Sequence, residues 1–191
     1  MSKAVLISIR PRWVQKIVDG EKTVEVRKTR PKLAPPFKCY IYCTQPKNPH
    51  EDYLTTEYPK PQFYGGGKVV GEFTCTRIVW AMRVGYMGAH QPPKYVICKE
   101  RTYDVSPIDG LLDASCLSSE ELRSYLVGGN GYGWHISDFR LYGKPRDLNE
   151  FERPYECDEC DAKWATECNA CHEERKVKRA PQSWCYVEEK K

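Results

Sequence analysis

A lysine, a glutamate and an arginine lie close together near the amino terminus, in the segment G-E-K-T-V-E-V-R at residues 20–27. Glu25 and Arg27 are two residues apart, so a strand places both side chains on one face. Lys22 follows directly on a turn at Gly20. An ammonium, a carboxylate and a guanidinium that converge in this way can form the floor of a pocket for a polar, planar or phosphate-bearing ligand.

The same three residues suggest roles in nucleotide recognition. Lys22 and Arg27 would contact phosphate or base oxygens, and Arg27 can do so through two parallel hydrogen bonds. Glu25 would accept a hydrogen bond from an exocyclic amine, or hold Arg27 in place as a purely structural ion pair. Further candidates are side chains that could stack on an unpaired base, or an arginine next to the motif: Trp13, Tyr40, Trp134, His135 and Arg10. The alternative for each aromatic residue is packing in the core, and for His135 a structural role.

Four cysteines near the carboxyl terminus form two C-x-x-C pairs separated by seven residues: Cys157, Cys160, Cys168 and Cys171. Each pair folds a tight turn that directs two thiolates at one point, and four thiolates complete a tetrahedral zinc site. No ligand position remains open, so we expect a structural Zn²⁺ that holds residues 155–176 as an insertion. His172 could replace Cys171 as a ligand. Covalent haem attachment at residues 168–172 and an iron–sulfur cluster are the rival interpretations.

The composition indicates one domain of ordinary size, with 191 residues and a net charge of +4. The charge is uneven, because residues 1–30 carry eight Lys/Arg against three acids, whereas residues 147–161 carry seven acids against one arginine. A local basic block attracts a nucleic-acid backbone, although it is also compatible with a solvated helix face.

Apolar runs are too short for a membrane span or a signal peptide, so we expect a cytoplasmic protein with no membrane partner. In a reducing compartment, the ten cysteines point to a metal site and buried free thiols.

The hydrophobic pattern predicts mostly strands, at residues 4–9, 23–28, 38–43, 68–81, 132–142 and 183–188. It predicts two short helices, one at residues 12–19 and one capped by Ser118 or Ser119 that ends near residue 127. The segments 45–67 and 83–115 show no clear periodicity and are interpreted as irregular. Because strands dominate and the helices are short, the sequence predicts an α+β fold that closes as a small mixed β-barrel.

Several of these segments resemble a known family. The run L-I-S-I-R-P at residues 6–11, the helix after it and the G-x-K-x-x-E-x-R pattern at residues 20–27 resemble the ASCH domain of the PUA-like superfamily. Residues 132–138 and 181–187 resemble ASCH proteins of bacteriophages and their bacterial hosts. The resemblance covers residues 3–43, 66–80, 132–151 and 180–188. It implies a small β-barrel flanked by short helices in a single domain spanning residues 1–191.

The resemblance also implies a class of function. ASCH proteins are associated with RNA binding, some resemble hydrolases of N4-acetylcytidine, and at least one is a ribonuclease. In the hydrolases, a lysine that matches Lys22 assists a threonine three residues later, but this chain has Glu25 at that position. Thr23 is one residue off and would face the other side of a strand. The missing threonine favours binding of RNA or a modified nucleotide over hydrolysis.

Two other functions remain open at this point. A modified-nucleoside hydrolase or a ribonuclease would use Glu25 as a general base and Lys22 to stabilise an oxyanion. A protein-interaction module, in a phage setting, would instead use the zinc insertion as its contact surface.

Overall fold

The structure, a computed structural model, describes residues 2–45, 53–54, 63–84, 94–98, 105–154 and 175–190. The strands are β1 Lys3–Ile9, β2 Val24–Arg27, β3 Phe37–Cys43, β4 Tyr53–Leu54, β5 Phe63–Tyr64, β6 Lys68–Val84, β7 Lys94–Cys98, β8 Val105–Pro107, β9 Gly131–Arg146 and β10 Trp184–Glu188. The α-helices are α1 Pro11–Val18, α2 Asp109–Ser115 and α3 Ser119–Leu126, and a 3-10 turn covers Leu148–Glu150. None of the helices in these ranges is long and apolar enough to cross a membrane.

Eight of the strands form one mixed sheet, which confirms the predicted α+β fold. β1 pairs with β10 in antiparallel orientation and with β3 in parallel orientation. Parallel neighbours need a crossover connection, and α1 together with β2 lies in the chain that joins them. The long β6 pairs with β3 at its start, with β7 at its end and with β9 along its other edge.

The sheet does not close into the predicted barrel. In the described ranges, β2 has backbone pairing with β9 and none with β1 or β10. The seam between β2 and β1 is instead bridged by a side chain, because Arg27 Nη2 donates a hydrogen bond to the Ser8 carbonyl oxygen at 2.6 Å. β2 is only four residues long, and a charged side chain rather than a hydrogen-bond ladder connects its free edge to β1.

Buried apolar residues form three clusters that fix the elements around this seam. The main cluster lies between the sheet and α1, which contributes Val14 and Ile17. The second includes Tyr40 and Phe151, whose rings are 4.9 Å apart. The third joins β2 to the end of β6, to α2 and to α3. Burial of an apolar stripe stabilises short helices that would not persist alone.

The helix α2 shows where the sequence-based prediction was wrong. The segment 83–115 was expected to be irregular, but it contains β7, β8 and α2. The sequence of α2, D-G-L-L-D-A-S, combines glycine and aspartate residues of low helix propensity. Its Leu111 is 3% exposed in the third cluster, so tertiary packing overrides the weak local preference. The segment 45–67 includes the short antiparallel pair β4–β5. Residues 46–52 and 55–62 of this segment lie outside the described residues.

Gly71 gives a direct test of how closely β6 and β9 approach. A Cβ atom at Gly71 would lie 2.6 Å from the backbone oxygen of Arg140, and backbone atoms cannot rotate away. We expect Gly71→Ala to lower the free energy of unfolding by about 1–3 kcal/mol, the usual cost of overpacking. The measurement is urea denaturation monitored by fluorescence.

Gly143→Ala is the matched control, because a Cβ atom there meets nothing within 4 Å. It should change stability by less than about 0.5 kcal/mol. Equal losses of stability in the two variants would contradict the close approach of the strands at Gly71.

Candidate functional site

The turn after α1 delivers the charged motif to the seam. Gly20 ends the helix with φ of +77°, a conformation that glycine adopts without strain. The Lys22 amide then donates to the Lys16 carbonyl at 2.9 Å, which holds the chain against the helix it has just left. The Thr23 amide donates to the Ala114 carbonyl at 2.8 Å and ties the start of β2 to α2. Lys22 is therefore directed inward, whereas Thr23 is exposed.

The ammonium group of Lys22 is fully engaged by internal acceptors. Its Nζ donates to the carbonyl oxygens of Val24 at 2.9 Å and Ser115 at 2.8 Å, and it lies 3.2 Å from Glu25 Oε2. An ammonium has three N–H donors, so none is left for a ligand. Ser115 is the last residue of α2, where carbonyl groups and the helix dipole favour a cation. The expectation that Lys22 contacts the ligand directly is not supported by this geometry; Lys22 positions Glu25.

Glu25 connects the two cations of the motif. Its Oε2 faces Lys22, and its Oε1 lies 2.9 Å from Arg27 Nη2. The exposed fractions of Lys22, Glu25 and Arg27 are only 3%, 6% and 7%. The structure therefore brings the three groups together in a partly dry environment. Two cations and one carboxylate leave this buried network with a net charge of +1.

A cleft of about 700 Å³ lies directly over this network. We call it the main cleft, and its walls come from the seam, from the start of α1, from α3 and from the residues before β10. Trp13 and Tyr125 supply its aromatic surfaces, and Arg10 and Arg12 are its exposed cations. Its other polar lining residues include Ser8, Thr44, Ser118, Glu120, Glu121, Ser124, Gln182 and Ser183.

Arg27 has hydrogen-bonding capacity that the protein does not use. Its Nε is shielded from solvent and has no hydrogen-bond partner in the described part of the chain. The hydroxyl of Tyr125 lies next to the same guanidinium; burial raises the pKa of Tyr125, and the Arg27 charge opposes that rise. The five N–H donors of a guanidinium also exceed the two that the Ser8 carbonyl and Glu25 engage. Because Arg27 lines the main cleft, it is the charged group of the network that can donate to a ligand.

Trp13 lies both in the core and at the main cleft, the two positions that the sequence analysis left open. The side chain is half-buried, packs against the main core cluster and also lines the main cleft. The Arg12 guanidinium lies 4.2 Å from the centroid of its ring, and Lys22 Nζ lies 5.3 Å from it. Arg12 is itself 3.4 Å from Glu121 on α3. These two cation–π contacts hold the indole at the cleft wall.

Three predicted ligand residues lie elsewhere. Trp134 is 0% exposed, and its ring centroid is 5.9 Å from both Phe37 and Trp184. Tyr40 is in the second cluster, where its hydroxyl accepts from the Lys190 amide at 2.8 Å. Trp134 packs in the main core cluster and Tyr40 in the second cluster. Both side chains are therefore core residues, and the structure does not bring them to the main cleft.

His135 also lies away from the main cleft, next to Arg77. Its Nε2 is 3.1 Å from Arg77 Nη2. A guanidinium can only donate, so this contact fits a neutral imidazole whose Nε2 accepts the hydrogen bond. Burial and the Arg77 charge lower the pKa of His135. Of the predicted ligand residues, Arg10, Trp13, Lys22, Glu25 and Arg27 therefore border the main cleft, whereas Tyr40, Trp134 and His135 do not.

Sequence reasoning missed the contribution of α3. Tyr125 is 39% exposed and lines the main cleft from α3. Helix α3 begins with a capping box between Ser118 and Glu121, which the Ser/Glu spacing had indicated. An exposed tyrosine on a short polar helix was the available signal for a binding role, but the sequence could not place α3 over β2.

The four cysteines Cys157, Cys160, Cys168 and Cys171 lie outside the described residues, as does His172. The described residues contain no group of three or more potential metal ligands. The other six cysteines form no disulfide; Cys39, Cys43 and Cys75 are buried, and the remainder are half-buried. Burial raises the pKa of the Cys75 thiol to about 12, as expected for an inert structural thiol.

The chain has the fold of solved ASCH proteins. The crystal structure of ASCH from Zymomonas mobilis superimposes with a TM-score of 0.53 and 18% identity, covering 97% of this chain and 87% of that chain. Two mutant proteins of the same Zymomonas mobilis ASCH each match with a TM-score of 0.52 and 18% identity, covering 97–98% of this chain and 88–91% of theirs. No protein-family model matches the sequence, and the comparison with curated proteins found no match. At this identity, the superposition shows a shared fold alone.

Removal of the Glu25 charge tests the buried network. Glu25→Gln would leave two like charges, Lys22 and Arg27, without their common carboxylate. Breaking a buried ion pair from one side costs about 3–5 kcal/mol, and we expect a loss of that order in urea denaturation. Glu120→Gln is the control, because Glu120 is exposed but lines the same cleft. A Glu25→Gln protein as stable as the Glu120→Gln protein would show that the charges are not coupled.

Proposed function

We propose that the protein binds RNA or a modified nucleotide in the main cleft. The observation that carries this proposal is a buried network of net charge +1 beneath a cleft with two aromatic walls. A positively charged floor attracts phosphate or the polar edge of a base, and aromatic rings stack on base faces. The cleft volume of about 700 Å³ lies in the range of small-ligand sites, so it accommodates a nucleotide together with solvent.

Arg27 is the residue to which the proposal gives the most direct role. Its guanidinium is held by Glu25 and by the Ser8 carbonyl, so little side-chain entropy is lost when a ligand binds. A guanidinium of fixed orientation matches phosphate or a guanine edge better than a flexible ammonium does. Glu25 and Lys22 act as positioning residues for Arg27. Arg10 and Arg12, which are exposed at the cleft, add cations for the backbone of a longer strand.

The two aromatic side chains supply sequence-tolerant binding. Trp13 projects from α1 and Tyr125 from α3, so the base would lie between two different elements. Stacking on one aromatic side chain contributes about 1–3 kcal/mol per base. Polar groups of α3 and the segment before β10, including Ser118, Glu120 and Gln182, border the same space and would distinguish one base or modification from another.

Tyr125→Leu tests the stacking wall without removing any charge. We expect it to weaken binding by about 5-fold to 100-fold, the equivalent of one lost stacking contact. Binding is measured by calorimetry with AMP, CMP, GMP, UMP and their acetylated or methylated forms. Trp80→Leu is the matched control, since Trp80 is an exposed aromatic residue, at 37%, that does not line the main cleft. Equal effects of the two substitutions would refute the assignment of Tyr125.

A hydrolase acting on a modified nucleoside, or a ribonuclease, is the alternative function. In its favour, Glu25 and Lys22 line the cleft as an ion pair, with 3.2 Å between carboxylate and ammonium. Against it, all three Lys22 N–H groups are already engaged, so none is left for an oxyanion, and each Glu25 oxygen is held by a cation. General-base catalysis requires an oxygen within reach of the water that it activates. Binding without turnover is therefore the function that the geometry favours.

We expect no turnover of N4-acetylcytidine or of single-stranded RNA by the wild-type protein, in assays that follow product by chromatography. Turnover that disappears in Glu25→Gln, corrected for the folded fraction, would replace the binding proposal with a catalytic one. Glu120→Gln again serves as the control for a carboxylate at the same cleft.

We also propose that the four cysteines hold one structural Zn²⁺ within the segment 155–176. The base of this segment is closed, because the Arg153 amide donates to the Arg175 carbonyl at 2.8 Å and the Val177 amide to the Phe151 carbonyl at 2.8 Å. The Arg175 side chain is 5% exposed and pairs with Glu152 and Glu188. The two ends of the segment are therefore adjacent in the fold. Adjacent ends support a compact insertion, which a structural metal would stabilise.

Metal analysis tests the zinc proposal. We expect about one zinc per chain, a marked loss of zinc in Cys157→Ser, and full occupancy in the control Cys185→Ser, which changes a half-buried free thiol. Removal of zinc by a chelator should lower thermal stability and leave nucleotide affinity unchanged, because no described residue of the main cleft lies in the insertion. A coloured protein containing iron, or a protein purified without metal, would contradict the proposal.

A further inference from the structure

A second cleft of about 570 Å³ carries an excess of positive charge. Its lining includes residues from the start of β3, from the end of β9 and from the chain just after β10. We call it the basic cleft. Its charged lining consists of five cations and two carboxylates: Lys38, Arg140, Lys144, Arg146, Lys190, Glu72 and Glu150. Its net charge is therefore +3, larger than that of the buried network under the main cleft.

The two carboxylates of the basic cleft are already occupied. Glu72 Oε1 lies 3.4 Å from Lys38 Nζ, and Glu72 Oε2 accepts a 2.6 Å hydrogen bond from the Tyr142 hydroxyl. Glu150 bonds to Arg146 Nε at 3.0 Å and receives the Asp147 amide at 2.8 Å. These contacts fix the acidic groups of the lining on protein partners, and Lys38 also lies 3.9 Å from Glu189 Oε1.

Arg140, Lys144 and Lys190 make no ion pair within the described residues. Arg140 and Lys144 are exposed, so both can reach a ligand from β9. Lys190 Nζ lies 5.0 Å from the centroid of the Phe151 ring, and Arg146 lies 5.6 Å from the same ring. Burial and repulsion by Arg146 lower the pKa of Lys190. Cations held this close repel one another, and a bound anion relieves that repulsion.

We propose that the basic cleft binds the phosphate backbone of an RNA strand whose base lies in the main cleft. The inference rests on the proposed function, because it takes the ligand class from the main cleft. The two clefts lie at opposite ends of β3: Lys38 lines the basic cleft and Thr44, directly after β3, lines the main cleft. Six residues of extended chain span about 20 Å. Several nucleotides are needed to cover that distance, so we expect an oligonucleotide, and not a mononucleotide, to contact both clefts.

The chemistry of the lining favours phosphates over a protein ligand. Arginine binds phosphate in a forked geometry and lysine binds it as a point charge. The basic cleft contains both, with Tyr142 as its aromatic residue. Backbone phosphates would add affinity without reading sequence, whereas the main cleft would select the base.

The test is the salt dependence of RNA binding by Arg140→Ala/Lys144→Ala. Neither side chain makes an ion pair in the described part of the chain, so the double variant should fold with an unchanged melting temperature. Binding of a labelled oligouridylate of about ten nucleotides is followed by fluorescence anisotropy between about 50 and 200 mM NaCl. Loss of two phosphate contacts should reduce the slope of log K against log[NaCl] by about 1.4, at about 0.7 per contact on single strands. Binding of UMP should be unaffected.

The control is Lys178→Ala/Arg179→Ala, which removes the same two residue types from exposed positions outside both clefts. Its slope should equal that of the wild type.

An unchanged slope in Arg140→Ala/Lys144→Ala, with wild-type binding of UMP, would overturn the inference and leave the proposed function intact. A reduced slope with no binding of nucleoside monophosphates would support the basic cleft and overturn the main-cleft proposal. Absence of oligouridylate binding, or equal competition by poly-glutamate at the same charge concentration, would overturn the RNA assignment of the basic cleft.

Discussion

The carboxylate of Glu25, shared by Lys22 and Arg27, is the interaction on which the arrangement of the site depends. Charged groups are costly to bury unless each is paired, and here one carboxylate serves two cations. Lys22 is also bonded to the end of α2, and Arg27 is also bonded to β1. Glu25 therefore couples elements that are distant in sequence. It keeps the seam between β1 and β2 bridged by side chains, and the open seam forms the floor of the main cleft.

The open sheet and the positive charge have a common structural origin. A β2 strand paired on both edges would leave no space between itself and β1, and the free edge of β2 would be covered by backbone hydrogen bonds. The protein instead connects this edge through the Arg27 guanidinium, which donates to the Ser8 carbonyl and pairs with Glu25. The seam gives the main cleft its shape and Arg27 gives it a fixed donor. The basic cleft, at the other end of β3, has more cations in its lining, and Arg140 and Lys144 among them are exposed.

The sequence predicted those parts of the fold that depend on local pattern. Strands β1, β3 and β6, helix α1 and the capped start of α3 follow from apolar periodicity, proline placement and the Ser/Glu spacing. The convergence of Glu25 and Arg27 follows from the two-residue period of a strand. Helix α2 could not be predicted, because Leu111 is stabilised by tertiary burial against weak propensity. The roles of Ser115 and Tyr125 depend on which helices pack over β2, and no pattern within either helix encodes that partner. For Trp134 the sequence left stacking on a base and core packing open, and the structure places it in the main core cluster.

The most direct test of the central claim is a crystal structure of the protein soaked with ribonucleoside monophosphates and their modified forms. The account predicts a nucleotide in the main cleft, with its base against Trp13 or Tyr125 and an oxygen within hydrogen-bonding distance of Arg27. It also predicts that Glu25 still bridges Lys22 and Arg27 in the complex. A nucleotide bound elsewhere with the main cleft filled only by solvent, or an Arg27 side chain turned away from Glu25 and from the ligand, would contradict it.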